Sequence, residues 1–309
     1  MLHVVVLGIA AGGGVPQWNC NCEVCRAARE RPELRSTQAS IAVSADAENW
    51  YLINASPDLR QQITDTPQLH PRPGPLRHSP IAGVILTNGE VDAVAGLLSL
   101  REGSPFAVYG HRRVLSVLAE NSIFNVLDDD IVPRRPIELD EAFEPQLSDG
   151  SPSGLTVEAF AVPGKPAWYL EGALNGEGGG DRPGDTIGLE ISETRGAGRF
   201  FFVAACAEVT PQLRVRLDGA PAVFFDGTLW ADDELIEAGL GPKTGQRMGH
   251  VSMSGPAGAI ESLAGLDIGR RMFMHINNSN PVHLPLSGQR RQAEAAGWQL
   301  PATGMEIDI

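Results

Sequence analysis

Short apolar segments recur along the whole chain, and they divide into two kinds. Residues 41–43 and 50–53 read as a β-hairpin, whereas the apolar residues 81–86 read as a strand that is followed by a helix over residues 92–101. Units of both kinds occur in each half of the chain, with about eleven strands and about seven helices in all. This mixture predicts an α/β sandwich of two packed mixed β-sheets flanked by helices, as a single domain over residues 1–309.

The charge balance and the apolar pattern exclude some classes of partner. The chain carries 38 Asp and Glu residues against 24 Lys and Arg residues, a net charge of −14, so we do not expect nucleic acid as a partner. No apolar run is long enough to cross a bilayer, and the N-terminal residues lack the basic segment of a secretory signal. We therefore expect no membrane span. The glycine-rich residues 172–185 are predicted to form a surface loop.

Three of the four cysteines, Cys20, Cys22 and Cys25, lie within six positions. Three thiolates this close can meet on one tetrahedral ion if the chain turns sharply, and Zn²⁺ suits sulfur ligands. The alternatives are three ordinary buried cysteines or a redox dithiol, although the setting is not the strand and helix of a C-x-x-C redox motif. We predict a structural zinc site. Because the spacing is not that of a secreted disulfide framework, the expected location is cytoplasmic.

Polar residues that could bind a second metal follow two of the predicted strands. Glu90 and Asp92 lie in the turn after residues 81–86, where both carboxylates can converge on a hard cation. Asp92 could instead cap the helix that follows. His275 lies near the end of the apolar residues 272–276, a position that suits either a metal ligand or a core histidine satisfied by hydrogen bonds. The residues alone leave these alternatives open.

An acid and a histidine form a further candidate pair. Asp226 follows a predicted buried strand, and His250 lies ahead of a predicted helix. A carboxylate that orients a histidine is a common arrangement for general acid–base catalysis, but the sequence does not establish that the two are close. The histidines in loops or at a helix start are predicted to lie at the surface: His70, His78, His111 and His283.

Taken together, these segments resemble the metallo-β-lactamase superfamily, whose members place an H-x-H-x-D-H motif after a strand. Residues 88–93 read NGEVDA here, so the aspartate is kept as Asp92 and the final histidine is replaced by Ala93. Two further ligand positions also differ, because residues 162–165 lack the superfamily's histidine and residues 204–206 lack its aspartate. The resemblance therefore implies the fold but not the dinuclear zinc centre of a hydrolase.

The closer resemblance is to a family within this superfamily that works in the biosynthesis of pyrroloquinoline quinone (PQQ). It is carried by long segments within residues 4–281, among them LGIAAGGGVPQWNCNC, LTNGEVDAVAGLLSLREG, KTGQRMGHVSMSG and MFMHINNSNP. The resemblance implies iron- and O₂-dependent hydroxylation of the tyrosine ring in a Glu–Tyr cross-linked precursor. The alternative that it implies is a non-enzymatic carrier that moves PQQ or its precursor to the periplasm.

The resemblance also assigns metal ligands. Glu90, Asp92 and His275 match candidate ligands of a catalytic Fe²⁺, in a variant of the triad of two histidines and one carboxylate. The three cysteines match a structural Zn²⁺ site, and Asn278 lies where a relative supplies a fourth ligand. These assignments are what the resemblance implies about this chain.

Proton transfer and partners follow from the same resemblance. Asp226 and His250 match an acid–histidine pair of related hydrolases, which implies a role in moving protons. The implied ligand is a small molecule, either PQQ or the Glu–Tyr precursor. Other proteins of the pathway are implied as partners, and a homodimer is left open.

Overall fold

The computed structural model describes residues 1–170 and 182–309. Residues 172–181 of the predicted glycine-rich loop lie outside this part of the chain, whereas residues 182–185 form a turn that leads into a strand. Within the described residues, no helix combines the length and the apolar character that a membrane crossing requires.

The described residues form fourteen strands, most of them short apolar segments. In chain order they are β1 (His3–Gly8), β2 (Ser40–Ser44), β3 (Trp50–Ile53), β4 (Ile81–Leu86), β5 (Ala107–His111), β6 (Arg134–Ile137), β7 (Ala142–Phe143), β8 (Leu155–Ala161), β9 (Ile187–Glu193), β10 (Arg199–Val203), β11 (Ala222–Asp226), β12 (Arg270–Met274), β13 (Trp298–Gln299) and β14 (Glu306–Asp308). The strands predicted for residues 41–43, 50–53, 81–86 and 272–276 are confirmed to within two residues at their ends. Three strands were not predicted, because β6 is rich in arginine and β7 and β13 are only two residues long.

Nine α-helices, all short, occur in the same part of the chain. They are α1 (Glu23–Glu30), α2 (Leu59–Asp65), α3 (Val91–Val94), α4 (Arg112–Glu120), α5 (Pro211–Leu217), α6 (Glu234–Glu237), α7 (Gly245–Met248), α8 (Ala259–Ser262) and α9 (Gly288–Ala295). Thr210 caps α5 and Ser287 caps α9, each through its side-chain oxygen.

The strands make two sheets of seven, in the orders β14-β1-β2-β3-β4-β5-β6 and β13-β12-β11-β10-β9-β8-β7. In the first sheet β3 to β6 are parallel, and in the second β10 to β13 are parallel. The other pairs are antiparallel. This confirms the predicted α/β sandwich of two mixed sheets. Each sheet thus contributes one edge at which the carboxyl ends of four parallel strands lie together.

Strand β1 of the first sheet is buried on both faces, which explains why its residues 4–7 are apolar without interruption. Val4 and Val6 of β1 point into the main core between the two sheets. Val5 and Leu7 point the other way, into a second core that the helices cover. Side chains alternate between the faces of a strand, so a strand buried on both sides needs an apolar residue at every position.

The helix predicted for residues 92–101 is α-helical only in its first part. The α-helical part ends at Val94, and residues 95–100 continue as a 3₁₀-helix. The physical reason is a competing contact: the Ala93 carbonyl accepts from the Ala55 amide (2.7 Å), and the Gly96 amide donates to the Ala55 carbonyl (2.8 Å). Both groups would otherwise bond within the helix. Gly96 has no Cβ, which allows this approach, because a Cβ there would lie 2.1 Å from the Ser56 carbonyl oxygen.

The prediction that His111 and His283 lie at the surface is wrong. Their exposed fractions are only 5% and 8%. His111 ends β5 and caps α4, where its Nδ1 accepts from the Arg113 amide at 3.4 Å. His283 lies in a 3₁₀-helix, with Nε2 3.4 Å from the Ile276 carbonyl. Each therefore has a structural hydrogen bond that a loop position in the sequence does not reveal.

Candidate functional site

A cavity of about 370 Å³ lies where the carboxyl ends of the parallel strands of both sheets meet. The turn after β4 contributes Glu90 and Asp92 to its wall, and the ends of β11 and β12 contribute Thr228 and His275. His250, which follows α7, completes the group of polar side chains. A concave site of this size with converging polar groups is suited to a small molecule.

Asp92 and His275 touch across the two sheets. Asp92 Oδ2 lies 2.9 Å from His275 Nε2. Asp92 belongs to the first turn of α3 but makes no capping hydrogen bond, so the alternative that it caps this helix is not supported. His275 has a φ of +57°, a left-handed conformation that is uncommon for a residue with a side chain. The chain is thus held in an unfavourable conformation at the residue whose ring reaches Asp92.

Thr228 connects this pair to a second one. Its hydroxyl donates to Asp226 Oδ1 at 2.7 Å and lies 2.9 Å from His275 Nδ1. Asp226 is fully buried, and its Oδ2 accepts from His250 Nδ1 at 2.7 Å and from the Cys206 amide at 2.9 Å. The rings of His250 and His275 are stacked with centroids 5.0 Å apart. The predicted acid–histidine pair is therefore present, and the hydrogen bonds of Asp226 fix the direction of the His250 ring.

The side chain of Glu90 points away from Asp92 and His275, towards Trp168 and Lys165. Its Oε1 accepts from the Trp168 amide at 3.0 Å and lies 3.9 Å from Lys165 Nζ. In the described part of the chain, Glu90 does not join Asp92 and His275 in a group whose ligand atoms all lie within 4.8 Å. At this cavity, Asp226, His250 and His275 form a group that does meet this distance. The expected convergence of Glu90 with the other two candidate ligands is thus absent in this conformation.

Electrostatics keep Asp92 charged. Burial by itself would lower the pKa of His275, but the hydrogen bond and the charge of Asp92 outweigh it and raise that pKa. Burial opposes ionisation of Asp92 too, yet the same contact lowers its pKa. Burial, together with the neighbouring charge of Asp92, raises the pKa of Glu90. Asp92 is therefore a carboxylate at neutral pH, the form that a metal ion or an imidazolium needs.

The donor set at Asp92 and His275 fits a metal ion. Two ligands of one ion, each about 2.1 Å from it and at right angles, lie about 3 Å apart. The observed 2.9 Å between the carboxylate oxygen and the imidazole nitrogen agrees with this spacing. Nδ1 of His275 contacts the Thr228 hydroxyl, an outer partner of the kind that commonly orients a ligating histidine. Ala93, where the superfamily has its final histidine, is buried in the second core and offers no ligand.

The three cysteines form a separate cluster. Their sulfur atoms lie within 4.8 Å of one another, and none is in a disulfide. Cys22 caps α1, where its Sγ accepts from the Cys25 amide at 3.5 Å. Burial raises the pKa of Cys22 to about 12, whereas hydrogen bonds with Cys22, Cys25 and Asn278 overcome burial and lower the pKa of Cys20. Three thiolates this close need a cation to ionise together, so the geometry suits Zn²⁺.

Asn278, which comes three residues after His275, lies against this cluster. Its Nδ2 is 3.3 Å from Cys25 Sγ, and its backbone oxygen is 3.5 Å from Cys22 Sγ. The side chain is buried. Because the oxygen and nitrogen of an amide group can exchange places by a flip, this position also allows Oδ1 to face the sulfur atoms. The cysteine loop is thus joined to the turn that carries His275.

Among the cavity residues that the sequence did not single out are Thr228, Lys165 and Lys243. Thr228 comes two residues after Asp226, but a threonine gives no signal without knowledge of what surrounds it. Lys165 ends residues 162–165, where the sequence indicates only a lost histidine position. Lys243 lies in a loop before α7 and has no local pattern.

The fold and this arrangement of polar residues are those of a metallo-β-lactamase-like domain. A family model described as a beta-lactamase superfamily domain matches residues 49–276. The relative named coenzyme PQQ synthesis protein B from Rhodopseudomonas palustris (strain BisB5) is 65% identical over 309 residues and covers 100% of both chains. The protein of that name from Bradyrhizobium diazoefficiens is 64% identical and covers 99% of both. The chain belongs to the family of coenzyme PQQ synthesis protein B.

A solved structure supports the same relationship. The crystal structure of Zn²⁺-bound PqqB from Methylobacterium extorquens has a TM-score of 0.93 to this chain. It is 49% identical in sequence, and the match covers 99% of this chain and 100% of that one.

Proposed function

We propose that this protein acts in PQQ biosynthesis by hydroxylating the tyrosine ring of a Glu–Tyr cross-linked precursor, with Fe²⁺ and O₂. Its family supports the pathway. The observation that most directly supports this reaction is the contact between Asp92 and His275, beside the oriented His250. One carboxylate and one histidine leave most of a coordination sphere open, which suits a metal that must meet both O₂ and a substrate.

Asp92 and His275 would hold the iron, with Glu90 as a third ligand if its side chain turns away from Trp168. Bound Fe²⁺ would supply the one-electron chemistry through which O₂ reacts with an aromatic ring. In the overall reaction one oxygen atom enters a ring C–H bond as a hydroxyl group and the other leaves as water. The two electrons and two protons that this balance requires come from an external reductant.

His250 would accept the phenol proton of the substrate. Its Nδ1 is occupied by Asp226 at 2.7 Å, which leaves Nε2 as the nitrogen for the cavity. Loss of the phenol proton makes the ring richer in electrons and therefore easier to oxidise. Asp226 acts on this step through His250, because its own oxygens are taken up by Thr228, His250 and the Cys206 amide.

The cysteine cluster would hold a structural Zn²⁺ rather than take part in the reaction. Cys20, Cys22 and Cys25 are not among the residues that line the cavity. They instead join the loop before α1 to Asn278 in the turn after β12. Zinc here would fix the turn that presents His275, with Asn278 as a candidate fourth ligand.

The test is anaerobic loading of the purified protein with Fe²⁺, followed by O₂, ascorbate as reductant and the precursor, with the product identified by its mass. We expect a gain of one oxygen atom per hydroxylation. Asp92→Asn and His275→Gln should lower the rate by a factor of 100 or more. Asp149→Asn, which changes an exposed carboxylate in a loop, is the control. Full rates in folded Asp92→Asn and His275→Gln would overturn the assignment.

A carrier of PQQ or its precursor is the second candidate function. Ala93, together with residues 162–165 and 204–206 that lack the superfamily's histidine and aspartate, favours this function because few metal ligands are left. A carrier would bind PQQ stoichiometrically without turning over the precursor under any metal or reductant. Product formation in the assay above would exclude this role as the sole function.

A further inference from the structure

The whole chain contains two lysines, Lys165 and Lys243, against 22 arginines. Both lysines line the cavity described above, whereas none of the arginines is among the described residues that line it. The two are 78 positions apart in sequence, since 243 − 165 = 78, and they come from different loops. Local sequence therefore does not explain why they meet at the same cavity.

Each lysine lies in a loop that the fold holds in place. Lys165 follows β8, and its aliphatic stem runs beside Gly249, where a Cβ would lie 3.0 Å from the Lys165 Cγ. Gly249 has a φ of +88°, so the position favours glycine and leaves room for that stem. Lys243 immediately precedes the cap of α7, whose first amides donate to Asp232 at 2.8 Å and 2.7 Å.

The cavity is lined by both acidic and basic side chains, and Lys165 Nζ lies 3.9 Å from Glu90 Oε1. Glu90 and Asp92 make the side of the candidate metal site acidic, the buried Asp226 lies behind His250, and the chain as a whole carries a net charge of −14. An anionic ligand would be repelled by these groups. Lys165 and Lys243 are the cationic side chains among the described residues of this cavity, so negative groups of a ligand are stabilised beside them.

We propose that Lys165 and Lys243 bind carboxylate groups of the substrate and so direct its aromatic ring towards Asp92, His250 and His275. This inference rests on the proposed function for the identity of the substrate, which carries three carboxylates: two α-carboxylates and the side-chain carboxylate of the Glu part. A lysine ammonium group offers three donors on a flexible stem and suits carboxylates in more than one orientation. The two lysines determine which ligands enter the cavity, while the other three residues act on the ring.

The experiment is calorimetric titration of the full-length protein with the Glu–Tyr precursor, without iron and without O₂, so that binding is measured apart from turnover. Lys165→Met and Lys243→Met should each weaken binding about tenfold, and the double variant about 100-fold. Lys→Arg at either position should restore affinity to within about threefold, since the positive charge is kept. Affinity for the unchanged protein should fall as salt is added.

The control variant is Arg247→Gln, which removes a positive charge from α7 four residues after Lys243. Arg247 is exposed and does not line the cavity, so this variant should bind like the unchanged protein. The trimethyl ester of the precursor is the control ligand. It should bind the unchanged protein at least tenfold more weakly than the acid, and it should not discriminate between that protein and the double variant. Unfolding midpoints verify that each variant is folded.

The inference would be overturned by folded methionine variants that bind the precursor as tightly as the unchanged protein, or by equal affinity for acid and ester. A lack of any binding to the unchanged protein would also overturn it. Failure of the proposed function gives a different pattern, in which the lysine-dependent binding is present but no hydroxylated product forms. Hydroxylation at full rate by the double methionine variant would instead support the proposed function and contradict the proposed role of the two lysines.

Discussion

At the scale of single residues, Thr228 fixes the relative positions of the polar side chains of the site. Its hydroxyl contacts Asp226, His250 and His275 within 3.0 Å. Thr228→Val keeps the shape of the side chain but removes these contacts. We expect the free energy of unfolding to fall by about 1–3 kcal/mol, because buried polar groups lose a partner, and turnover to fall about tenfold or more.

Thr228→Ser is the matched control, since it retains the hydroxyl group. Urea unfolding and initial rates measured on the three proteins test the prediction. If Thr228→Val is as stable and as active as Thr228→Ser, the threonine does not organise the site.

His283 makes stability depend on pH. Burial lowers its pKa to about 4 from an ordinary value near 6.5. Between pH 6.5 and pH 4 the unfolded chain therefore binds a proton at this residue and the folded chain does not, so the free energy of unfolding falls as the pH falls. The loss from pH 7 to pH 5 due to this residue is on the order of 2 kcal/mol.

His283→Gln should remove this part of the pH dependence. Urea unfolding at pH 7 and pH 5 measures it, with His70→Gln at an exposed histidine as the control. An equal loss of stability on acidification in the protein with and without His283 would contradict the prediction.

At the scale of elements, the strands were predictable and the helices were less so. Strand β4 shows why: all six of its residues are buried, and its apolar run has nothing to interrupt it. The sequence predicts one α-helix after β4. Ala55, however, makes hydrogen bonds with the Ala93 carbonyl and the Gly96 amide, and the second half of the segment is a 3₁₀-helix. Ala55 lies about 40 positions away in sequence, so the helical periodicity of residues 92–101 cannot reveal these hydrogen bonds.

The cysteine loop is an element that the sequence did predict. Cys22→Ser should remove the zinc and increase hydrogen exchange in α1 and in the turn around Asn278, because the two segments meet at the sulfur atoms. Cys206→Ser is the control, since Cys206 is buried elsewhere and donates to the Glu208 carbonyl. Unchanged exchange at Asn278 in the zinc-free Cys22→Ser protein would show that the metal does not hold this turn.

At the scale of the whole molecule, the site exists only because the two sheets pack face to face. Asp92 follows a strand of the first sheet and His275 a strand of the second, and they are 183 positions apart. The sequence identified both residues as candidates from the polar turns after buried strands. It did not establish that they touch, that Glu90 faces Trp168, or that Lys165 and Lys243 share their cavity, because these contacts depend on tertiary packing.

The metal content of the purified protein after anaerobic loading with Fe²⁺ and desalting tests the central claim of two separate sites most directly. We predict one zinc and one iron per chain. Cys22→Ser should lose the zinc, while Asp92→Asn and His275→Gln should lose the iron and keep the zinc. Iron that stays in both of these variants, or that disappears only with the cysteines, would contradict an iron site at Asp92 and His275.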